Sequence, residues 1–203
     1  DMNRLLLTVT GALALAIQGY GATIISSTPT GGANFINDTT TIFEGFTMGS
    51  SSFNLNSITI AFQTVGISSF STSVLSASIY SGASAPTTFL TTLDVPAGTI
   101  QNSTHTFTPS SPLLLQSGTT YWYVITAPSI GNTGNLAISA SDTPTGPFAS
   151  FAGAGQGNLS TPPQLNQFFS ILVDGSAATQ PPQETPEPAA FGLMGLGLGG
   201  LFL

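Results

Sequence analysis

The sequence predicts an all-β protein built as an antiparallel β-sandwich. Short runs rich in β-branched and aromatic residues alternate with clusters of Gly, Ser, Pro and Asn, which is the pattern of strands separated by turns. In Ile58–Phe62 and Leu75–Ile79, apolar residues alternate with small polar ones, so each run buries one face and exposes the other. Two packed antiparallel sheets satisfy that pattern.

Seven segments are predicted as strands, and Phe43–Met48 as a weaker eighth. The seven are Ser57–Gln63, Val74–Tyr80, Thr88–Leu93, Thr104–Phe107, Thr120–Thr126, Leu136–Ala140 and Phe168–Val173. In the fifth, Trp122 is expected to fill the core while Tyr121 and Tyr123 present their hydroxyls on the other side. Ser141–Gln167, rich in Gly, Pro and Ser, predicts a long loop or a pair of weak edge strands.

The N-terminus has the three parts of a secretory signal peptide. Arg4 provides the charged start, Leu5–Ile17 is a short apolar run, and small residues follow. We therefore expect residues 1–22 to be a signal helix that is cleaved after Gly21 or Ala22. Residues 23–34 are expected to be a flexible segment, and residues 35–177 to form the β-sandwich domain.

The C-terminus is a polar linker followed by an apolar segment. Residues 178–188 are Pro-rich and should stay extended, because proline lacks the N–H that helices and ladders need. Residues 189–203 are apolar and rich in Gly, which membrane helices tolerate. They are shorter than the roughly 20 residues of a full span, so a truncated transmembrane helix is expected.

The end of the chain resembles the PEP-CTERM sorting signal of bacteria that make extracellular polysaccharide. The motif Pro186-Glu187-Pro188 is followed by the apolar residues 191–198. The resemblance implies processing near Pro186-Glu187-Pro188 by an exosortase, a membrane transpeptidase-like enzyme. In that family an Arg-rich cluster follows the helix, so we expect the parent chain to continue beyond Leu203.

A second resemblance covers the region from about Phe35 to Ala177. The stretch Leu113–Tyr123, preceded by Phe107-Thr108-Pro109, is similar to the choice-of-anchor domains, most closely the R type. Ala77–Ser81 also fits that family. The resemblance implies a jelly-roll-like sandwich joined to a surface anchor.

The composition excludes several classes of function. The chain has one Lys or Arg, Arg4, and a net charge of −7, so nucleic-acid binding, which depends on cations, is excluded. It has no cysteine, so disulfides, thiolate metal sites and cysteine nucleophiles are unavailable.

No catalytic set is recognised in the sequence. His105 is the only histidine, so a Ser-His-Asp triad would have to combine it with Asp94 or Asp142, and no Gly-x-Ser-x-Gly elbow is present. A solvent-facing histidine on a strand is the favoured interpretation. Asp94 and Asp142 precede Val-Pro and Thr-Pro, which is ordinary turn chemistry.

The sequence offers candidates for three kinds of binding or modification site. A weak structural calcium site would form if Asp38, Glu44 and Asp174 converged. Tyr80, Tyr121 and Tyr123 are candidate sugar-stacking residues. Asn37, Asn102 and Asn158 begin N-x-Ser/Thr sequons and are candidate glycosylation sites. No other cofactor is expected.

Together these features predict a non-enzymatic exported protein of the outer cell surface or extracellular matrix, transiently anchored in the inner membrane. Its expected partners are the secretion machinery and an exosortase. Because few charges block the strand edges, self-assembly into filaments is a further expectation. The alternative is a carbohydrate-binding module of the extracellular polysaccharide matrix.

Overall fold

The structure, a computed structural model, describes residues 21–64, 69–130, 136–159, 163 and 167–178. These residues form fourteen strands and one 3-10 turn, Thr72–Val74, and none of them is α-helical. The strands are β1 (Ala22–Ser26), β2 (Pro29–Ile36), β3 (Thr41–Met48), β4 (Phe53–Thr64), β5 (Phe70–Ser71), β6 (Ser76–Ser81), β7 (Thr88–Asp94), β8 (Thr99–Ile100), β9 (Thr104–Pro109), β10 (Leu114–Leu115), β11 (Thr120–Thr126), β12 (Leu136–Ser141), β13 (Ala149–Gly157) and β14 (Ile171–Ala177).

The all-β antiparallel class is confirmed, and each of the eight predicted strands overlaps an observed one. β11 has the predicted bounds, while β4 begins four residues before the predicted Ser57 and β14 begins three residues after the predicted Phe168. The signal helix and the C-terminal helix lie outside the described residues. Within the described part of the chain, no helix is long and apolar enough to cross a membrane.

Twelve strands form one antiparallel sheet that is nearly closed and barrel-like. Its main order is β1-β14-β4-β9-β7-β6-β11-β3-β13, and β2 joins through β12, which pairs with the end of β4. The chain just before β13 returns to β1, where Ser26 and Thr145 exchange backbone hydrogen bonds of 2.9 and 2.8 Å. This contact brings the two ends of the strand order together.

Residues 23–34, expected to be flexible, form β1 and most of β2. Ile24 and Ile25 are fully buried in the core. β1 pairs with β14, placing Ala22 opposite Gly175. The expectation was wrong because these strands are stabilised by partners more than a hundred residues away, which no local pattern reveals.

The Gly-rich stretch 141–167, predicted as a long loop or a pair of weak edge strands, contains one nine-residue strand, β13, which stands at the end of the main strand order. β13 pairs with β3 along its whole length, and Gly155 lies opposite Phe43. A Cβ at Gly155 would lie 2.4 Å from the Phe43 ring. The glycines, which favour a loop or a weak edge strand, therefore let β13 lie close against that ring.

The core lies on the opposite face of β11 from the one predicted. Tyr121 and Tyr123 are buried in the main core, whereas Trp122 is buried on the other face in a small cluster with Phe43 and Val124. A Cβ at Gly45 would lie 2.5 Å from the Trp122 ring. Trp122 is thus a core residue, as expected, but it fills a second and smaller core.

The two ends of the described chain leave from the same pole of the sheet. Ala22 lies opposite Gly175, and Ala177 lies opposite Phe53 at the start of β4. Ala178 continues this pole, because its N–H donates to Ser52 O at 3.1 Å. We call this end the exit pole, and we call the end of β4 at Thr64 the distal pole.

Candidate functional site

An aromatic pair stands on the outer face of β6 and β7. Tyr80 and Phe89 are cross-strand partners whose ring centroids lie 5.6 Å apart in an edge-to-face arrangement. Phe89 is 53% exposed, the highest value among the large apolar side chains that the structure describes as exposed. Tyr80 is half-buried and packs against the Trp122 cluster rather than the main core.

On the same sheet face, a buried aromatic ring and two hydroxyl side chains lie next to the Tyr80–Phe89 pair. Trp122 is the β11 partner of Tyr80, and its Nε1 donates to Gly82 O at 2.7 Å. One row along the strands, Ser78 lies opposite Thr92. The surface therefore combines aromatic rings with neutral hydroxyls.

Two of the three predicted sugar-stacking residues are buried. Tyr121 is 3% exposed, and its hydroxyl accepts from Gln116 N at 2.8 Å; Tyr123 is fully buried. Neither ring can meet a sugar in this structure, because both lie on the inner face. Of the three, only Tyr80 lies on the outer face, where it is half-buried, and its exposed neighbour Phe89 is not among the predicted residues.

The candidate calcium ligands do not come together. Among the described residues, no three His, Cys, Asp or Glu side chains form a group that could hold a metal. Asp174 Oδ1 accepts from Thr23 Oγ1 at 3.2 Å, Asp38 lies in the turn after β2, and Glu44 is buried. The convergence on which the calcium hypothesis depends is therefore not seen, since Glu44 lies on β3, Asp174 on β14 and Asp38 in a turn.

Glu44 has a structural role inside the core instead. Its Oε2 accepts from Phe169 N at 2.7 Å. Burial raises the pKa of the Glu44 carboxyl well above its ordinary value of 4.5, and the Phe169 hydrogen bond offsets part of that rise. The carboxyl thus satisfies a buried N–H that lies just before β14.

Tyr123 lies directly opposite Glu44 in the β3–β11 pairing. Its hydroxyl is buried and has no hydrogen-bond partner in the described part of the chain. Burial raises the pKa of Tyr123 well above 10.0, and the Glu44 carboxylate raises it further. Two polar groups that resist ionisation thus face each other in the core.

His105 is partly buried rather than fully solvent-facing, and a serine lies beside it. Its Nε2 and Ser103 Oγ share a hydrogen bond of 3.0 Å, and its ring packs edge-to-face on Phe62. Partial burial lowers the pKa of His105 from 6.5. Strand alternation puts residues 103 and 105 on one face, which brings the Ser103 hydroxyl beside the ring.

The serine and histidine still lack the rest of a triad. Asp142 Oδ1 accepts from Thr28 N at 2.7 Å, and Asp94 lies opposite Thr108 on β9. No carboxylate in the described ranges hydrogen-bonds to the His105 ring. In a Ser-His-Asp triad such a carboxylate orients the imidazole, and neither Asp94 nor Asp142 takes that place here.

Ser103 also lines a shallow groove of about 380 Å³ at the distal pole. None of the residues that line the groove is charged. They are Pro29, Ala61, Phe62, Gln63, Asn102, Ser103, Thr104 and Ser139.

The three sequon asparagines lie on the surface in different settings. Asn37 Oδ1 accepts from Thr39 N at 3.0 Å and from Thr39 Oγ1 at 2.9 Å. The first and third residues of that sequon are therefore hydrogen-bonded to each other. Asn102 has a φ of 46°, and its Oδ1 accepts from Thr64 N at 2.9 Å. Asn158 directly follows β13 and is exposed. All three stay candidate sites.

Of the predicted sorting and cleavage motifs, only the cleavage residues lie within the described part of the chain. Pro186-Glu187-Pro188 lies outside the described residues. Gly21 and Ala22 are at the edge of the described chain, where Ala22 begins β1. Cleavage after either residue would leave β1 at the very start of the mature protein.

A scan of the chain against protein-family models finds no matching family. A search of curated proteins also finds no match.

Proposed function

We propose that this protein is a non-enzymatic, exported protein of the cell surface or extracellular matrix. The observation that carries the proposal is the shared exit pole. Ala22 and Ala178 leave the sheet at the same end, so the apolar N-terminal segment and the Pro-rich tail start from one side of the domain. That arrangement suits a body held at a membrane by its tail, with the rest of the domain projecting away.

The proposed route follows from the two terminal segments. Residues 1–22 direct export and are removed after Gly21 or Ala22, and an exosortase acts at Pro186-Glu187-Pro188. The C-terminal segment anchors the protein in the inner membrane until that step. The domain itself is proposed to be a jelly-roll-like sandwich of the choice-of-anchor type.

Intact mass of the surface-released protein tests this route. We expect a mass that lacks residues 1–21 or 1–22 and also lacks the segment after the Pro-Glu-Pro motif, in a host that has an exosortase. Glu187→Ala should leave the tail attached, whereas Glu184→Ala, a matched change in the same linker, should not. Equal processing of both variants, or release with the tail intact, would refute the sorting role.

Self-association is a secondary part of the proposal. Among the described strands, β2 pairs only with β12, and it carries no charged residue. Charges are what normally block edge pairing. Gln156 Nε2 already donates to Phe35 O at 2.6 Å, so the edge is partly capped. Sedimentation of the purified protein over a range of concentrations tests it, and a monomer throughout would count against filaments.

Carbohydrate binding is the second candidate function, and one observation favours it. Exposed Phe89 and half-buried Tyr80 pair on the outer sheet face, and aromatic rings at a surface are what sugars stack on. Extracellular polysaccharide would then be a partner of the exported protein.

A further inference from the structure

We propose that Tyr80 and Phe89 form a stacking platform for a neutral polysaccharide on the outer face of β6 and β7. This inference rests on the carbohydrate-binding candidate and names its site and its class of ligand. Water covers about half of the Phe89 surface, and a ligand that removed this water would gain the hydrophobic free energy of that area.

Contacts within the sheet restrict the movement of Tyr80 and of the turn that leads into β7. Trp122 lies next to Tyr80 in the same cross-strand row and is tied to Gly82 O. The turn into β7 is also fixed, because Thr87 donates its N–H and its hydroxyl to Ser81 O at 3.0 and 3.1 Å. Rings that are already ordered lose little conformational entropy when a ligand binds.

The chemistry around the rings matches a sugar. A pyranose presents C–H groups on its faces and hydroxyls at its edge. The rings supply apolar contact, and one row away, about 7 Å along the strands, Ser78 and Thr92 supply hydroxyls. The Ser78 hydroxyl makes no hydrogen bond within the described ranges, while Thr92 Oγ1 shares one of 2.6 Å with Ser110 Oγ.

The charge of the chain favours a neutral polymer over an acidic one. Arg4 is the only Lys or Arg, and the net charge is −7. A uronic or sulfated polysaccharide would therefore meet no Lys or Arg on the domain and would be repelled by its aspartates, Asp38, Asp94, Asp142 and Asp174. A neutral glucan, mannan or xylan avoids both costs.

The size of the surface favours a sugar over a protein. The other exposed large apolar side chains in the described region, Phe35 and Leu114, lie on β2 and β10, which pair with neither β6 nor β7. Two rings alone fall well short of the roughly 800 Å² that each partner buries in a standard protein interface. Because the two rings stand at 80° to each other, one presents its face and the other its edge, which is enough to cover one sugar ring.

Affinity electrophoresis tests the platform, because the net charge of −7 carries the protein through a native gel. The full chain is run in gels that contain hydroxyethylcellulose, galactomannan, xylan or dextran, and in a gel that contains alginate. We expect retardation by at least one neutral polymer and none by alginate. Phe89→Ala and Tyr80→Ala should each weaken binding about tenfold or more, and Phe89→Tyr should retain it.

Leu114→Ala is the matched control, since it removes an apolar side chain of similar exposure, 44% against 53% for Phe89, from a different strand. Thermal melting confirms that each variant is folded. The proposal is overturned if no neutral polymer retards the wild type, if the two aromatic variants bind normally, or if Leu114→Ala loses as much affinity. It is also overturned if Phe89→Ala abolishes self-association without changing polysaccharide binding. None of these outcomes bears on processing at Pro186-Glu187-Pro188.

Discussion

Replacing Glu44 tests two claims about its buried carboxyl. As a hydrogen-bond acceptor the carboxyl stabilises the fold, and in its ionised form it destabilises the fold. Glu44→Gln keeps an oxygen that can accept from Phe169 N, and it removes the ionisation. Glu44→Ala removes the acceptor and leaves that buried N–H unpaired, which costs about 1 to 3 kcal/mol in the free energy of unfolding. The lost side-chain packing adds to that cost.

The sign of the pH dependence follows from the raised pKa of Glu44. The unfolded chain loses the Glu44 proton near pH 4.5, whereas the folded protein keeps it to higher pH. The contribution of the protonated carboxyl is therefore complete below about pH 4.5, and it declines as the pH rises toward the pKa of the folded state. Glu44→Gln should abolish this decline.

Urea unfolding followed by the fluorescence of Trp122, the single tryptophan, measures both effects at pH 5 and pH 8. We expect the wild type to lose stability between these values relative to Glu44→Gln. Glu44→Ala should be the least stable of the three proteins at pH 5. The reasoning is refuted if Glu44→Gln is as unstable as Glu44→Ala at pH 5, or if its pH dependence equals that of the wild type.

Three further predictions follow from the same contacts. Tyr123→Phe removes a buried hydroxyl that has no partner, so it should raise the free energy of unfolding by about 1 kcal/mol, and a loss measured by urea unfolding would contradict this. Gly45→Ala should lower the free energy of unfolding by about 1 to 3 kcal/mol, because the new Cβ would overlap the Trp122 ring. The control is Gly98→Ala, where a Cβ meets nothing within 4 Å, and it should lower the free energy of unfolding far less in the same assay. The His105 ring should titrate below pH 6.5 in the folded protein, so its burial favours folding less as the pH falls below 6.5; an NMR titration at or above 6.5 would disprove the burial argument.

Strands with strong local patterns were predictable, and strands stabilised only by distant partners were not. Thr120–Thr126 was predicted with its observed bounds, because a run of β-branched and aromatic residues specifies a buried strand by itself. Residues 23–34 are rich in Gly, Thr and Ser, which predicts a flexible segment, yet they form β1 and most of β2. Their burial depends on β14 and β12, which come from the other end of the chain.

Half of the candidate site was likewise visible in the sequence. Tyr80 was named as a sugar-stacking candidate, but Phe89 became its partner only through the register of β6 against β7, where a bulge lies between Ile79 and Tyr80. An aromatic in a predicted strand signals β structure, and it does not tell which aromatic lies across from it.

The sequence by itself determined the all-β class, the absence of cysteine and the near absence of cations, because composition and period-2 alternation are local properties. Only the tertiary structure decided which face of each strand lies inside. Alternation at Tyr121, Trp122 and Tyr123 shows that neighbouring side chains point to opposite faces. It does not say which face meets the main core, because that depends on the strands packed on either side.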